Sequence, residues 1–283
     1  MLNTSKFIDR IVKVNIVFLM ALFSICLDGI YIYAAPHHNI GSETIIGNDN
    51  RYPIGSPECD FRYSPVGHIT AIFPDGVRWG GTGFLIGTNV VVTAAHVIYS
   101  AEHGGYATFN SRFTPSAGNV QEGASSPAPF GFAEFNYVRA PNGFIRNDPN
   151  REFYDYAIIL LNRPLGVDRY ANHFDLRVAP TSDILGEEAV ITGYPREAHG
   201  DTTSNMWGAS GSILTVINQR RLAYRIATSP GQSGAPIVLE SDPRVVIGIH
   251  TNGVMDNSPN INSGVFITGE VYEFLTSRGG VSS

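Results

Sequence analysis

Lysine is nearly missing from this chain. Lys6 and Lys13 are the two it has, so every fixed side-chain positive charge beyond residue 13 is an arginine. Cysteine is as scarce, with Cys26 and Cys59 alone, which excludes a disulfide-built scaffold. Charged residues make up 16% of the 283, against about 25% in average domains. That shortage argues against coiled coils, helical repeats and disordered chains. The net charge of -6 carries no basic footprint for nucleic acid. No internal repeat or low-complexity block stands out. The one sustained apolar run, Val14 to Leu27, is interrupted by Asn15 and closed by Asp28. It is short of the ~20 residues that span a bilayer.

What the chain does have is glycine (30), proline (17), tyrosine (13) and phenylalanine (16). Turn formers among aromatic and β-branched residues favour a β-rich fold with many tight turns. At the N-terminus, Lys6, Arg10 and Lys13 precede the apolar run, and Ala34 and Ala35 follow it. A basic start, a short apolar core and a small-residue exit are the layout of a secretory signal peptide, so residues 1–35 are read as an export signal and a secreted product is expected. Cys26 goes with that segment, and Cys59 is expected as a small, partly buried hydrophobe.

Short apolar runs bounded by Gly, Pro, Asn and Asp predict strands. They fall at His68–Phe73, Gly83–Ile86, Val90–Thr93, Tyr156–Leu161, Ala189–Thr192, Ser212–Val216, Ala223–Ala227, Pro236–Leu239, Val245–His250 and Gly264–Thr268. Gly87-Thr88-Asn89 reads as a hairpin loop. Residues 101–150 are polar and rich in Gly, Pro, Ser and Asn, and read as loops and edge strands. Gly269–Ser277 reads as a helix, with Val271, Phe274 and Leu275 at helical spacing. Many short strands and one terminal helix suggest barrels or a sandwich.

Three segments carry chemistry. In Val91-Val92-Thr93-Ala94-Ala95-His96-Val97, a β-branched strand runs through small residues into a histidine. Such a histidine is either a satisfied structural residue or one facing a cleft. In Tyr154-Asp155-Tyr156-Ala157-Ile158-Ile159-Leu160, an aspartate opens an apolar strand. It is either a turn residue or the partner of something buried, because a bare buried charge is costly. In Gly231-Gln232-Ser233-Gly234-Ala235-Pro236, glycines flank a serine and permit a tight backbone that aims successive N–H groups at one point. Each segment alone is a weak signal. Together they run His, Asp, Ser, with spacings of 59 and 78 residues.

That order resembles the chymotrypsin-like serine proteases, and it does not fit the orders of α/β-hydrolases or subtilisins. The resemblance implies an all-β fold of two six-stranded antiparallel β-barrels with a C-terminal helix. It also implies a triad of His96, Asp155 and Ser233 in the cleft between the barrels. Ser233 would be the nucleophile, His96 its base, and Asp155 the group that orients His96. The backbone N–H groups of Gly231 and Ser233 would form the oxyanion hole. The implied domains are residues 44–170 for the first barrel and 171–283 for the second with the helix. Arg163–Asn172 would be the crossing.

Trypsin-type specificity needs an acid five or six residues before the nucleophile, where this chain has Thr228 and Ala227. The wall segment Val246-Ile247-Gly248-Ile249-His250-Thr251-Asn252-Gly253 ends instead on a histidine. Thr228 with His250 resembles the bacterial glutamyl endopeptidases of the staphylococcal and Bacillus type. So do Ile45-Ile46-Gly47-Asn48-Asp49-Asn50-Arg51, Thr192-Gly193-Tyr194-Pro195 and Gly264-Val265-Phe266-Ile267. The resemblance implies a substrate-binding set of Thr228, His250, Thr251 and Gly253. It also implies a mature N-terminus at Thr44, after a short propeptide (36–43) ending in Glu43, with the freed α-amine helping to neutralise the substrate carboxylate. Gln232 excludes the trypsin-type pairing of a new amine with an acid just before the serine.

The expected protein is a secreted serine endopeptidase acting on protein or peptide substrates with an acidic residue before the scissile bond (P1): Glu, and more slowly Asp. No cofactor is expected and no metal site is assigned; no acidic loop has a convincing calcium-ligand spacing, and calcium binding stays open. No nucleic-acid partner and no membrane association after signal removal are expected, and the enzyme is read as a monomer. Two other readings stay open: the same fold with a different or narrow specificity, such as a toxin, and an inactive protease-like binding protein.

Overall fold

A computed structural model describes residues 44–118, 128–165, 172–196, 205–253 and 261–277 of the chain. The signal and propeptide readings for 1–43, Cys26 with them, lie outside the described residues, as does most of the expected crossing (166–171). The described residues fall in one compact unit. The strands, in chain order, are β1 (Tyr52–Pro53), β2 (Val66–Ile72), β3 (Arg78–Leu85), β4 (Val90–Thr93), β5 (Tyr99–Ser100), β6 (Gly105–Tyr106), β7 (Arg112–Pro115) and β8 (Ala133–Arg139). They continue with β9 (Ala157–Leu161), β10 (Asp175–Leu176), β11 (Glu188–Gly193), β12 (Trp207–Ile217), β13 (Arg221–Tyr224), β14 (Pro236–Leu239), β15 (Asp242–Gly253) and β16 (Asn262–Phe266). Short helices α1 (Ala95–Ile98) and α2 (Asn142–Ile145) interrupt them, and α3 (Gly269–Thr276) ends the described chain.

Two six-stranded antiparallel barrels result. The first closes in the order β2-β3-β4-β9-β8-β7. The second runs β12-β11-β14-β15-β16-β13 and closes through the pairing of β13 back onto β12. The fold class is therefore the all-β double barrel with a terminal helix that the motif order implies. Strand alternation explains why two barrels cohere. Successive side chains point to opposite faces, so Leu85, Val91 and Ile159 fill the first barrel with Ile69, Phe113 and Phe135. Their neighbours Phe84, Val92 and Ile158 face outward, into a second cluster with Ile249, Val265 and Ile267 of the other barrel and Val271 and Leu275 of α3. The second barrel has its own interior, including Ile191, Ile213, Leu222, Ile237 and Ile247.

The N-terminal stretch of the described residues runs along the second barrel. β1 pairs antiparallel with β12, and Ile54 N–H donates to the Met206 carbonyl at 2.9 Å. Thr268 caps α3, its hydroxyl accepting from Val271 N–H at 3.4 Å.

Two expectations are corrected. Residues 101–150 contain more than loops and edge strands: β7 and β8 sit inside the closed barrel, and β8 is seven residues long. A register shift between Phe135 and Tyr137 breaks the period-2 pattern that would have revealed it. Cys59 is exposed rather than partly buried. It ends a 3₁₀ turn, Pro57–Cys59, whose buried residue is Pro57.

Candidate active site

The serine sits in a turn that only glycine permits. Gly231 has φ +105°, and a Cβ there would lie 2.4 Å from the Tyr194 carbonyl oxygen and 2.9 Å from Arg196 N. Gly234 has φ +90°, and its Cβ would meet Thr82 O at 2.1 Å and Thr93 Oγ1 at 2.3 Å. Both are left-handed conformations with no room for a side chain. The turn is pinned from both barrels. Thr82 on β3 accepts Tyr194 N–H at 2.9 Å, gives its own hydroxyl proton to the Gly231 carbonyl at 2.8 Å, and donates its N–H to the Ser233 carbonyl at 2.9 Å. Gly234 N–H donates to the His250 carbonyl at 2.7 Å. Ser233 itself is 8% exposed, and its Oγ donates to the Thr251 carbonyl at 3.2 Å.

His96 stands on α1, at the first turn after β4. Its Nδ1 meets Asp155 Oδ2 at 2.7 Å, and its backbone N–H donates to Oδ1 of the same carboxylate at 2.9 Å. The small residues Ala94 and Ala95 allow this close approach. Asp155 is 2% exposed. Burial pushes its pKa up, but His96 and, more weakly, Arg221 act against burial and hold it below the usual carboxylate value. The carboxylate therefore stays ionised inside the protein, because its neighbours favour the charged form. His96, Gly231 and Ser233 line one cleft of about 250 Å³ with Trp79, Arg196 and Asn252.

A second buried network lies behind the serine turn. His250 is fully buried on β15, and its Nδ1 lies 2.6 Å from the Tyr224 hydroxyl on β13. Thr228 is also fully buried, and its hydroxyl has no hydrogen-bond partner among the described residues. Thr228 N–H donates to the Thr44 carbonyl at 3.3 Å. Asn262 grips Thr44 from both sides: its Oδ1 accepts Thr44 N–H at 3.0 Å, and its Nδ2 donates to the Thr44 carbonyl at 2.8 Å. Asn262 is paired with Tyr224 across β13–β16 and with Gly253 across β15–β16. The expected substrate-binding residues Thr228, His250 and Thr44 thus share one connected region with Gly253. Thr251 touches the serine through its carbonyl.

Sequence reasoning missed Thr82, Tyr224, Asn262 and Arg221. One signal was available. Arg221 opens the strand Arg221-Leu222-Ala223-Tyr224, all four residues of which are buried. A charged residue in such a strand marks a buried partner. Among the described residues, no group of three or more His, Cys, Asp or Glu stands where it could hold a metal ion.

Two closed antiparallel barrels, with a serine turn on one and a paired His and Asp on the other, define the chymotrypsin-like class. Within it, the trypsin-like peptidase domain model matches residues 81–249, and the chain belongs to that family. It is a serine endopeptidase of the glutamyl endopeptidase group. It is similar to the glutamyl endopeptidase of Bacillus licheniformis, 31% identical over 83% of this chain and 69% of the relative. It is also similar to a Bacillus subtilis protein named extracellular metalloprotease, 30% identical over 81% of this chain and 67% of that one. Among solved structures, a Glu endopeptidase in complex with MPD superimposes with a TM-score of 0.65 at 24% identity, covering 82% of this chain and 97% of the other.

Proposed function

We propose that the chain cleaves peptide bonds on the carboxyl side of glutamate, and more slowly of aspartate, with His96, Asp155 and Ser233 as its triad. As a neutral alcohol, Ser233 is a weak nucleophile and needs a base. His96 takes its proton as Oγ attacks the substrate carbonyl, then gives it to the leaving amine. Asp155, ionised and held against Nδ1, fixes the tautomer that leaves Nε2 as the base and stabilises the imidazolium. The N–H groups of Gly231 and Ser233 receive the oxyanion, each such donor being worth about 3–4 kcal/mol. Water then repeats the sequence on the acyl-enzyme.

The glutamate reading is carried by the buried Thr228 hydroxyl, which has no partner among the described residues. A buried donor left unmatched costs about 1–3 kcal/mol, and a substrate carboxylate supplies the acceptor. His250 contributes a second donor, with Tyr224 behind it. The α-amine of Thr44, freed after Glu43 and held by Asn262, is the third donor and brings a positive charge. Thr251 and Gly253 form the wall that aligns the substrate backbone. Substrates are proteins and peptides, the working enzyme is a monomer, and it acts outside the cell. No helix among the described residues is long and apolar enough to cross a membrane.

The test is peptide-library profiling of the processed enzyme beside a Ser233→Ala control. Cleavage concentrated after Glu, and abolished in the control, is expected. Cleavage spread over apolar or basic residues would overturn the glutamate reading, and an active control would overturn the triad.

A further inference from the structure

We propose that Arg221 is a positioning residue for the triad: a buried cation that locks the aspartate-bearing segment of one barrel to the serine-binding strand of the other. The inference rests on the triad reading above. Arg221 is on β13 and only 1% exposed. Its Nη1 donates to the Glu152 carbonyl at 2.7 Å, on the 3₁₀ turn Arg151–Tyr154 that leads directly into Asp155. Its Nη2 donates to Thr251 Oγ1 at 2.9 Å and to Ser263 Oγ at 2.5 Å. Thr251 in turn offers its carbonyl to Ser233 Oγ, and Ser263 donates to the carbonyls of Asn252 and Gly253. One planar guanidinium therefore reaches the backbone before Asp155, the residue that touches Ser233, and the strand that lines the cleft.

The fork geometry matters here. Guanidinium donors diverge in a fixed plane, whereas an ammonium is a point charge on a flexible stem. Three acceptors on three elements suit the first and not the second. Charge matters separately. A buried arginine keeps its proton and needs a compensating negative group. The groups facing Asp155 are His96 from α1, Arg221 from β13 and Asn252 from β15, whose Nδ2 is 3.5 Å from Oδ2. Arg221 is faced by Asp155, Glu152 and Tyr224. Removing the cation leaves Asp155 with His96 as its only positive neighbour among the described residues, so the imidazolium gains stability relative to the neutral ring.

The test uses Arg221→Lys and Arg221→Met in the full, processed enzyme. Fluorophosphonate titration counts competent sites, and kcat and KM on a Glu-containing peptide are followed against pH. Arg221→Lys keeps the charge and loses the fork. We expect its kcat per titrated site to fall about 10- to 100-fold, as for a misplaced catalytic group. Its KM should stay within about threefold, and the acidic limb of kcat/KM, which reports the free enzyme's base, should not move. Arg221→Met loses both, and its acidic limb should move up by about one pH unit. The proposal is overturned if the lysine variant has wild-type kcat per titrated site, or if its whole loss is accounted for by unfolded protein. Should the methionine variant not fold, the lysine variant decides alone. A Ser233→Ala enzyme that remained active would instead remove the triad reading.

Discussion

The proposed role of His250 in substrate choice would be played by a residue fully buried in a strand. Its imidazole has Tyr224 at Nδ1, 2.6 Å away. If that hydroxyl donates, the ring proton sits on Nε2, the nitrogen opposite Tyr224. His250→Ala is therefore expected to keep fluorophosphonate labelling of Ser233 while losing on the order of 10²-fold in kcat/KM on Glu peptides, the equivalent of one charge-assisted hydrogen bond. Tyr224→Phe should lose less, about tenfold, mainly through KM. Profiling both variants on paired Glu and Gln peptides reads the effect. Unchanged Glu preference in the alanine variant would exclude His250 from the pocket. Asp155 differs in kind, since its burial opposes its charge and its partners restore it. Its native pKa is depressed, so it stabilises the fold above the unfolded carboxylate value of about 3.9. That contribution disappears as pH falls through the lower, folded value. Urea midpoints measured from pH 7 down to pH 3 should decline less in Asp155→Asn than in the parent over the lowest part of that range.

At the scale of elements, the closed barrels depend on a few large side chains. Phe113 on β7 is fully buried in the first interior, and the chain makes room for it at Gly67, where a Cβ would lie 2.4 Å from the ring. Phe113→Ala should cost about 3–5 kcal/mol, read as a lower denaturant midpoint. A loss under about 1 kcal/mol would mean that the barrel collapses around the gap. Such elements were unevenly legible. Val90–Thr93 and Pro236–Leu239 are short runs dominated by apolar residues, and their predicted ends are the observed ones. β12 runs from Trp207 to Ile217, well beyond the predicted Ser212–Val216, because Gly208, Ala209 and Gly211 carry little apolar signal but leave space for close neighbours. A Cβ on Gly211 would lie 2.0 Å from the Arg225 carbonyl oxygen. β8 was hidden by its bulge. The candidate site was legible where a motif has a local shape, as around Ser233. It was illegible where partners are joined only by folding, as with Thr82 and Asn262, and for Arg221 the apolar strand around it signalled a buried partner without saying which.

For the whole molecule, the question is how the N-terminal stretch relates to activity. Residues 44–54 run along the second barrel, fixed by Asn262 at Thr44, by Arg51, whose Nη1 reaches Ser229 Oγ at 2.7 Å, and by β1 against β12. Thr44 therefore sits beside Thr228, next to the region that would take a substrate carboxylate. While Thr44 follows Glu43 through a peptide bond, its nitrogen is a neutral amide. Cleavage after Glu43 would turn it into an ammonium at the same place and create a positive charge where an acidic side chain is proposed to bind. Glu43 is itself the residue type that the proposed specificity recognises, so under that specificity the enzyme would perform this step on another copy of itself. Mass spectrometry of the secreted protein is expected to find Thr44 as the first residue, and Ser233→Ala should accumulate a longer form. A different first residue would remove the amine from the pocket. A Ser233→Ala protein trimmed normally to Thr44 would assign the cut to another protease and leave the role of the amine intact. Asn262→Ala should then raise KM for Glu peptides with a smaller effect on kcat, because it frees the amine without touching the groups that move protons.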